Sequence, residues 1–153
     1  MKPINEMKLQ IESRSVNEAF ARAAVAAFAS QLDPNVEEIS DIKTAVSEAV
    51  TNCIVHAYAD KVGVIYIWAG IYENSVFKVK IKDKGCGISN VKQAMEPLFT
   101  SKPDLERSGM GFSFMEAFMD EVQVESLPKR KGTLVRMKKE IGKGRELWTT
   151  QSI

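Results

Sequence analysis

The sequence predicts an α/β fold: a two-layer sandwich with helices on one face of a mixed, mainly antiparallel sheet. Three observations predict it. Apolar residues recur with strand-like and helix-like periods in the order strand, two helices, several strands, one helix, two strands. Short turn signals separate successive strands, which pairs them as hairpins and argues against a doubly wound parallel sheet. Within Val76 to Lys82, Phe77, Val79 and Ile81 alternate with Lys78, Lys80 and Lys82, so one sheet face is expected to be buried and the other wet.

Met7 to Ile11 alternates as the first strand. Ser15-Val16-Asn17-Glu18 has the capping-box form that opens a helix reaching about Gln31. Asp33-Pro34 then offers an N-cap and an N1 proline for a second helix, along which Val36, Ile39, Ile42, Val46, Ala49, Val50, Cys53 and Ala57 keep helical spacing. Val64 to Trp68 and Val76 to Ile81 read as strands joined across Glu73-Asn74-Ser75. From Ser89 to Ser108 the chain holds Pro97, Pro103 and scattered charge without a long period, apart from a helical turn expected at Val91 to Met95. Such a stretch is often a lid. Gly111 to Met119 is expected to form a third main helix, and Val122–Glu125 with Thr133–Met137 a closing hairpin across Pro128 to Gly132.

A length of 153 residues suits a single domain, expected over residues 1–141 with a tail at 142–153. Hydrophobic residues make up 44% and charged residues 27%, which excludes disordered and fibrous classes. No run approaches the ~20 apolar residues of a membrane span. The start, Met1-Lys2-Pro3-Ile4-Asn5-Glu6, lacks a secretory apolar segment, and Cys53 and Cys86 form no CxxC pair, so a cytoplasmic location without membrane association is expected. Residues 1–76 hold 6 basic and 10 acidic groups, net −4, whereas 77–153 hold 15 and 10, net +5. The basic half suits an anionic ligand, although Lys129-Arg130-Lys131 also reads as a solvated turn. No basic stripe interleaved with aromatics is visible along the chain, so direct nucleic-acid binding is not indicated.

The second helix carries the chemistry. Glu48, Asn52 and His56 fall at i, i+4 and i+8, placing a carboxylate, an amide and an imidazole on one stripe of a largely apolar helix. Phosphoryl transfer needs a triphosphate held in line, charge neutralised by a metal and an acceptor oriented for attack. Glu48 can take or orient the proton of an attacking hydroxyl, and Asn52 can ligate Mg²⁺ through its amide oxygen. A lone histidine on an apolar helix is more often packed than catalytic, and His56 is left out of the catalytic set. Asp83-Lys84-Gly85-Cys86-Gly87 follows a strand; its carboxylate can accept from an adenine amino group, and its glycines permit close backbone approach and positive φ. Ser108-Gly109-Met110-Gly111 opens a helix whose free N–H groups favour phosphate. Each short motif alone is common; Asp-x-Gly also makes plain turns. Neither GxGxxG nor GxxxxGK[ST] occurs, which disfavours Rossmann and Walker sites.

Taken in order and spacing, Glu48…Asn52, Asp83-x-Gly85-x-Gly87 and Gly109-x-Gly111 resemble the N, G1 and G2 boxes of the ATPase/kinase superfamily that includes gyrase, Hsp90, histidine kinases and MutL. Ser47 to Asn52, Pro97 to Thr100 and Leu105 to Phe112 further resemble the anti-sigma F factors of endospore-forming bacteria, a family of small serine kinases. That likeness covers nearly the whole chain; Ala57, where relatives commonly have glycine, and Cys86 depart from it, and the segment after Ile141 is unmatched.

The resemblance implies a Bergerat-type ATP-binding fold, ATP/ADP and Mg²⁺ as cofactors, and a protein that inhibits a sporulation sigma factor and phosphorylates a serine of its anti-anti-sigma factor. It assigns Glu48 the catalytic role and Asn52 the Mg²⁺. It assigns Asp83, Gly85, Gly87, Ser108, Gly109, Gly111 and Thr133 to the nucleotide; within the expected lid Lys102 and Arg107 can reach the β- or γ-phosphate as the loop closes, with Arg107 the better placed beside Ser108-Gly109. Arg22, within Ser15 to Arg22, corresponds to the arginine that contacts both partners. The family forms homodimers. Two competing readings stand beside it: a nucleotide-switched sigma-binding module with negligible transfer, and a histidine kinase or gyrase-type catalytic domain, for whose extra domains the chain leaves no room.

Overall fold

The structure, a computed structural model, describes residues 1–88, 91–96, 111–127 and 131–143. In chain order it contains β1 (Asn5–Glu12), α1 (Val16–Ala29), α2 (Val36–Asn52), β2 (Val64–Tyr72), β3 (Val76–Asp83), the one-turn α3 (Val91–Ala94), α4 (Gly111–Phe118), β4 (Glu121–Ser126) and β5 (Thr133–Glu140). The five strands form one sheet in the order β1-β2-β3-β5-β4, and every neighbouring pair is antiparallel. No parallel pair occurs among the described residues, so the sheet is simpler than the mixed one expected.

The alternation in β3 does what its sequence implies. Phe77, Val79 and Ile81 are buried on the inner face with Ile65, Ile67 and Ala69 of β2 and Val135 and Met137 of β5. α2 lies over this face between α1 and α4, burying Ile42, Ala45, Val46, Ala49 and Val50. On the outer face the antiparallel register sets Trp68 opposite Lys80, whose ammonium lies 4.6 Å from the indole centroid; Lys78 sits 4.7 Å from the Tyr72 ring and Lys84 5.0 Å from Tyr66. These cation–π contacts interleave lysines and aromatics across strands, which is invisible along one strand.

Two helix starts differ from expectation. α1 begins after Ser15, but Ser15 makes no side-chain capping bond, because its own backbone is already helical at φ −55 and ψ −36, and the Glu18 carboxylate accepts from Ser47 on α2 and pairs with Arg22 at 3.8 Å instead of closing the box. At α2 the cap is Asn35 rather than Asp33-Pro34. Asp33 adopts φ 52, closing the preceding short turn, and Asn35 forms a reciprocal box with Glu38: Glu38 N–H donates to Asn35 Oδ1 at 2.7 Å and Asn35 N–H to Glu38 Oε1 at 2.9 Å. The second Glu38 oxygen accepts from Gly142 N–H at 2.7 Å, tying the chain beyond β5 back to the start of α2.

α2 also ends differently. After Asn52 the chain passes into a π turn, Cys53–Ala57, closed by Tyr58 N–H donating to Cys53 C=O at 3.0 Å. A π turn carries one residue more than an α-helical turn, so His56, which lies within it, does not keep the 3.6-residue spacing from Glu48 and Asn52.

Candidate functional site

Four segments converge beneath the C-terminal end of α2. Asp83, the last residue of β3, is 4% exposed, and its carboxylate is held from three sides. Oδ1 accepts from Gly85 N–H at 3.0 Å and from Thr133 N–H at 3.1 Å, while Cys53 Sγ donates to Oδ2 at 3.6 Å. The β3 turn, the start of β5 and the end of α2 thus fix one buried side chain. Burial pushes the Asp83 carboxyl above the usual carboxylate range, and its backbone and thiol donors offset part of that rise. Burial, followed by the charge of Asp83, raises the Cys53 thiol well above its ordinary value, so it stays protonated as a donor.

The two glycines after Asp83 have separate tasks. Gly87 takes φ 75, the left-handed conformation that glycine adopts at no steric cost. Gly85 faces the π turn so closely that a Cβ there would lie 2.3 Å from Ala57 O. Around them Lys84 N–H donates to the Tyr58 hydroxyl at 2.5 Å, Cys86 N–H to Ala57 C=O at 3.4 Å and Ile88 N–H to Ser126 Oγ at 3.0 Å. Tyr58 donates onward to Val64 C=O at 2.8 Å. The loop is therefore built on the π turn, β4 and its own aspartate.

Glu48 and Asn52 stand one turn apart on α2, both half-buried, and Asn52 immediately precedes the cysteine that touches Asp83. Thr133 is buried beside Asp83 on β5. The structure therefore gathers Asn52, Asp83, Gly85 and Thr133 at one end of the sheet, with Glu48 a turn back along α2. Gly111 begins α4, which packs against α2. Arg107, Ser108 and Gly109, with Lys102, lie outside the described residues. Arg22 is elsewhere, lining a groove of about 470 Å³ between α1 and α2 with Lys43, Ser40, Thr44 and Ser47.

Cys53, Tyr58, Ala57 and Ser126 belong to the site without any motif to mark them. The spacing of Cys53 assigns it to the core, and it is indeed buried; its hydrogen bond crosses 30 positions and leaves no local signal. Among the described residues no cluster of three or more His, Cys, Asp or Glu is arranged to hold a metal.

A fold of this topology with a carboxylate and an amide on the central helix, and an anchored aspartate–glycine turn below, defines a nucleotide-binding domain of the kinase-like ATPase class. The family model of the histidine kinase-like ATPase domain matches residues 11–139. The chain is 59% identical over 141 residues to the anti-sigma F factor of Caldanaerobacter subterraneus subsp. tengcongensis, covering 92% of this chain and 97% of that protein. With the anti-sigma F factor of Clostridium novyi identity is 58% over 138 residues, 90% of this chain and 95% of that one. The chain belongs to the anti-sigma F factors within the histidine kinase-like ATPase family. Among solved structures, the RsbU and RsbW domains of a Mycobacterium tuberculosis protein superpose with a TM-score of 0.66 at 18% identity, covering 91% of this chain and 33% of that chain. The histidine kinase domain of Erythrobacter litoralis EL346 gives 0.56 at 18% identity, covering 85% and 63%. Both share the fold.

Proposed function

We propose that this protein is an ATP-dependent serine kinase that inhibits a sporulation sigma factor and is countered by the anti-anti-sigma factor it phosphorylates. The observation that carries the proposal is the buried Asp83 carboxylate, fixed by Gly85, Thr133 and Cys53 beside the helix that bears Glu48 and Asn52. A carboxylate offers about four acceptor positions, and three are taken here; the remaining one suits the exocyclic amino group of adenine. High identity to anti-sigma F factors over more than nine-tenths of the chain supports the partners.

In this reading the partner's serine oxygen attacks the γ-phosphorus, the bond to the β–γ bridging oxygen breaks, ADP departs, and the serine proton passes to Glu48. Asn52 would hold Mg²⁺ through its amide oxygen, where a bound metal would supply neutralisation of phosphate charge. Gly85 and Gly87 let the base lie against the loop, and Thr133 lines its edge. Arg107, Ser108, Gly109 and Gly111 receive the phosphates. Arg22 meets the partners from the α1–α2 groove. Residues 1–141 act as one kinase domain with 142–153 as a tail, in a cytoplasmic homodimer. No helix among the described residues is long and apolar enough to cross a membrane.

The test is to mix the protein, Mg²⁺ and γ-labelled ATP with the anti-anti-sigma protein and follow the label. Acid-stable label on the partner supports the serine kinase. Acid-labile label identifies histidine transfer instead. Tight ATP binding with no transfer leaves a nucleotide-switched binding module.

A further inference from the structure

Asp83 is anchored unequally. Oδ1 receives two backbone N–H groups, one from its own turn and one from β5, and these fix the position of that oxygen. Among the described residues Oδ2 receives the Cys53 thiol alone, at 3.6 Å. The terminal torsion of an aspartate is soft, so bonds to one oxygen hold the carboxylate plane less firmly than bonds to both. A donor on the second oxygen stiffens that plane. Cys53 is well placed to supply it: the residue is 4% exposed, it follows Asn52 directly, and the π turn that starts there locks its backbone through the Cys53 C=O to Tyr58 N–H bond.

We infer that Cys53 is a positioning residue for base recognition, its S–H group orienting Asp83 so that the free lone pair of Oδ2 faces the 6-amino group of a bound adenine. The inference rests on the adenine role proposed above for Asp83. It makes adenine selectivity depend on a direct contact between the end of α2 and the end of β3, beside which the Ala57–Cys86 and Tyr58–Lys84 bonds tie the π turn to the loop after β3. Cys53 touches no reacting atom, so its removal is expected to alter nucleotide affinity and leave the rate of transfer at saturating ATP unchanged.

The experiment titrates the full chain with ATP and with purine riboside triphosphate, which lacks the 6-amino group, in the presence of Mg²⁺. Four variants are compared with the parent: Cys53→Ser keeps a donor, Cys53→Ala and Cys53→Val remove it with smaller and larger side chains, and Asp83→Asn tests the underlying role. Loss of one weak hydrogen bond predicts that Ala and Val weaken ATP by about three- to tenfold. The analogue is expected to bind all three cysteine variants as it binds the parent, and Ser is expected to restore ATP affinity. If the Ala variant does not fold, the Val and Ser pair still decides. Equal weakening of both nucleotides, or no weakening of either, would show that Cys53 only packs and overturn the inference. Should Asp83→Asn keep the parent's preference for ATP over the analogue, the adenine role itself fails, whatever the cysteine variants do.

Discussion

Gly85 and Ala57 approach so closely that a Cβ on Gly85 would lie 2.3 Å from the Ala57 carbonyl oxygen and 2.6 Å from its Cβ. The turn after β3 is thus fitted against the π turn at the end of α2, backbone to backbone. The same Ala57 carbonyl accepts from Cys86 N–H, so the contact is both steric and bonded.

Gly85→Ala therefore forces the loop or the π turn to move. The expected cost is about 1–3 kcal/mol of stability, the range for overfilling a packed contact. Nucleotide affinity is expected to fall by more than stability alone explains, because the Asp83–Gly85 bond shifts with the loop. Thermal unfolding and ATP titration of the same preparation check both.

At the opposite side of the aspartate, Gly132 has φ +111 and leaves no room for a side chain, since its Cβ would sit 1.9 Å from Asp83 O. Gly132→Ala combines backbone strain with a backbone clash. A loss of about 2 kcal/mol or more is expected, seen as a lower denaturant midpoint with an unchanged slope.

The raised Asp83 carboxyl predicts two pH effects of opposite sign. Its folded value exceeds the unfolded one, so the folded state holds the proton more tightly and Asp83 lowers stability once it is ionised. That cost grows as pH rises through the interval between the unfolded and folded values, and is absent below it. Adenine recognition needs the ionised form to accept a hydrogen bond, so ATP affinity is expected to fall as pH drops through the raised value, above the range of an ordinary aspartate. Calorimetric titration across pH, with Asp83→Asn lacking the transition, tests the assignment.

Arg22 is about two-fifths exposed and its ion pair with Glu18 spans 3.8 Å, a geometry worth little to the fold. Arg22→Ala is expected to leave unfolding and ATP affinity nearly unchanged. Sigma-factor affinity is expected to fall about tenfold or more, as for an interfacial arginine anchor. Pull-down with purified sigma factor at graded concentrations measures this.

Much of this architecture is legible in the sequence because periodicity reports burial. Phe77, Val79 and Ile81 mark their face by alternation, and Glu73-Asn74-Ser75 marks its turn by composition. The helix starts are harder to read. Asp33, Pro34 and Asn35 all have capping character, and Asn35 takes the role because Glu38 lies three residues beyond it while Asp33 closes the preceding turn. Ser15 makes no cap because its own backbone is helical, and the Glu18 carboxylate that would complete the box serves Ser47 and Arg22, a tertiary demand that no local rule contains. The π turn stays hidden because apolar spacing continues through Cys53 and Ala57. Of the site, Asp83 and its glycines are readable as a motif, whereas the Cys53 anchor joins positions 30 residues apart.

The central claim is that Glu48 performs chemistry at an adenine nucleotide bound beside Asn52 and Asp83. Its most direct test measures ATP affinity and phosphoryl transfer to the anti-anti-sigma protein in Glu48→Gln, side by side with the parent. Retained ATP binding with transfer reduced by about a hundredfold or more is predicted for loss of a general base. Transfer at the parental rate in a variant that binds ATP normally would contradict the account.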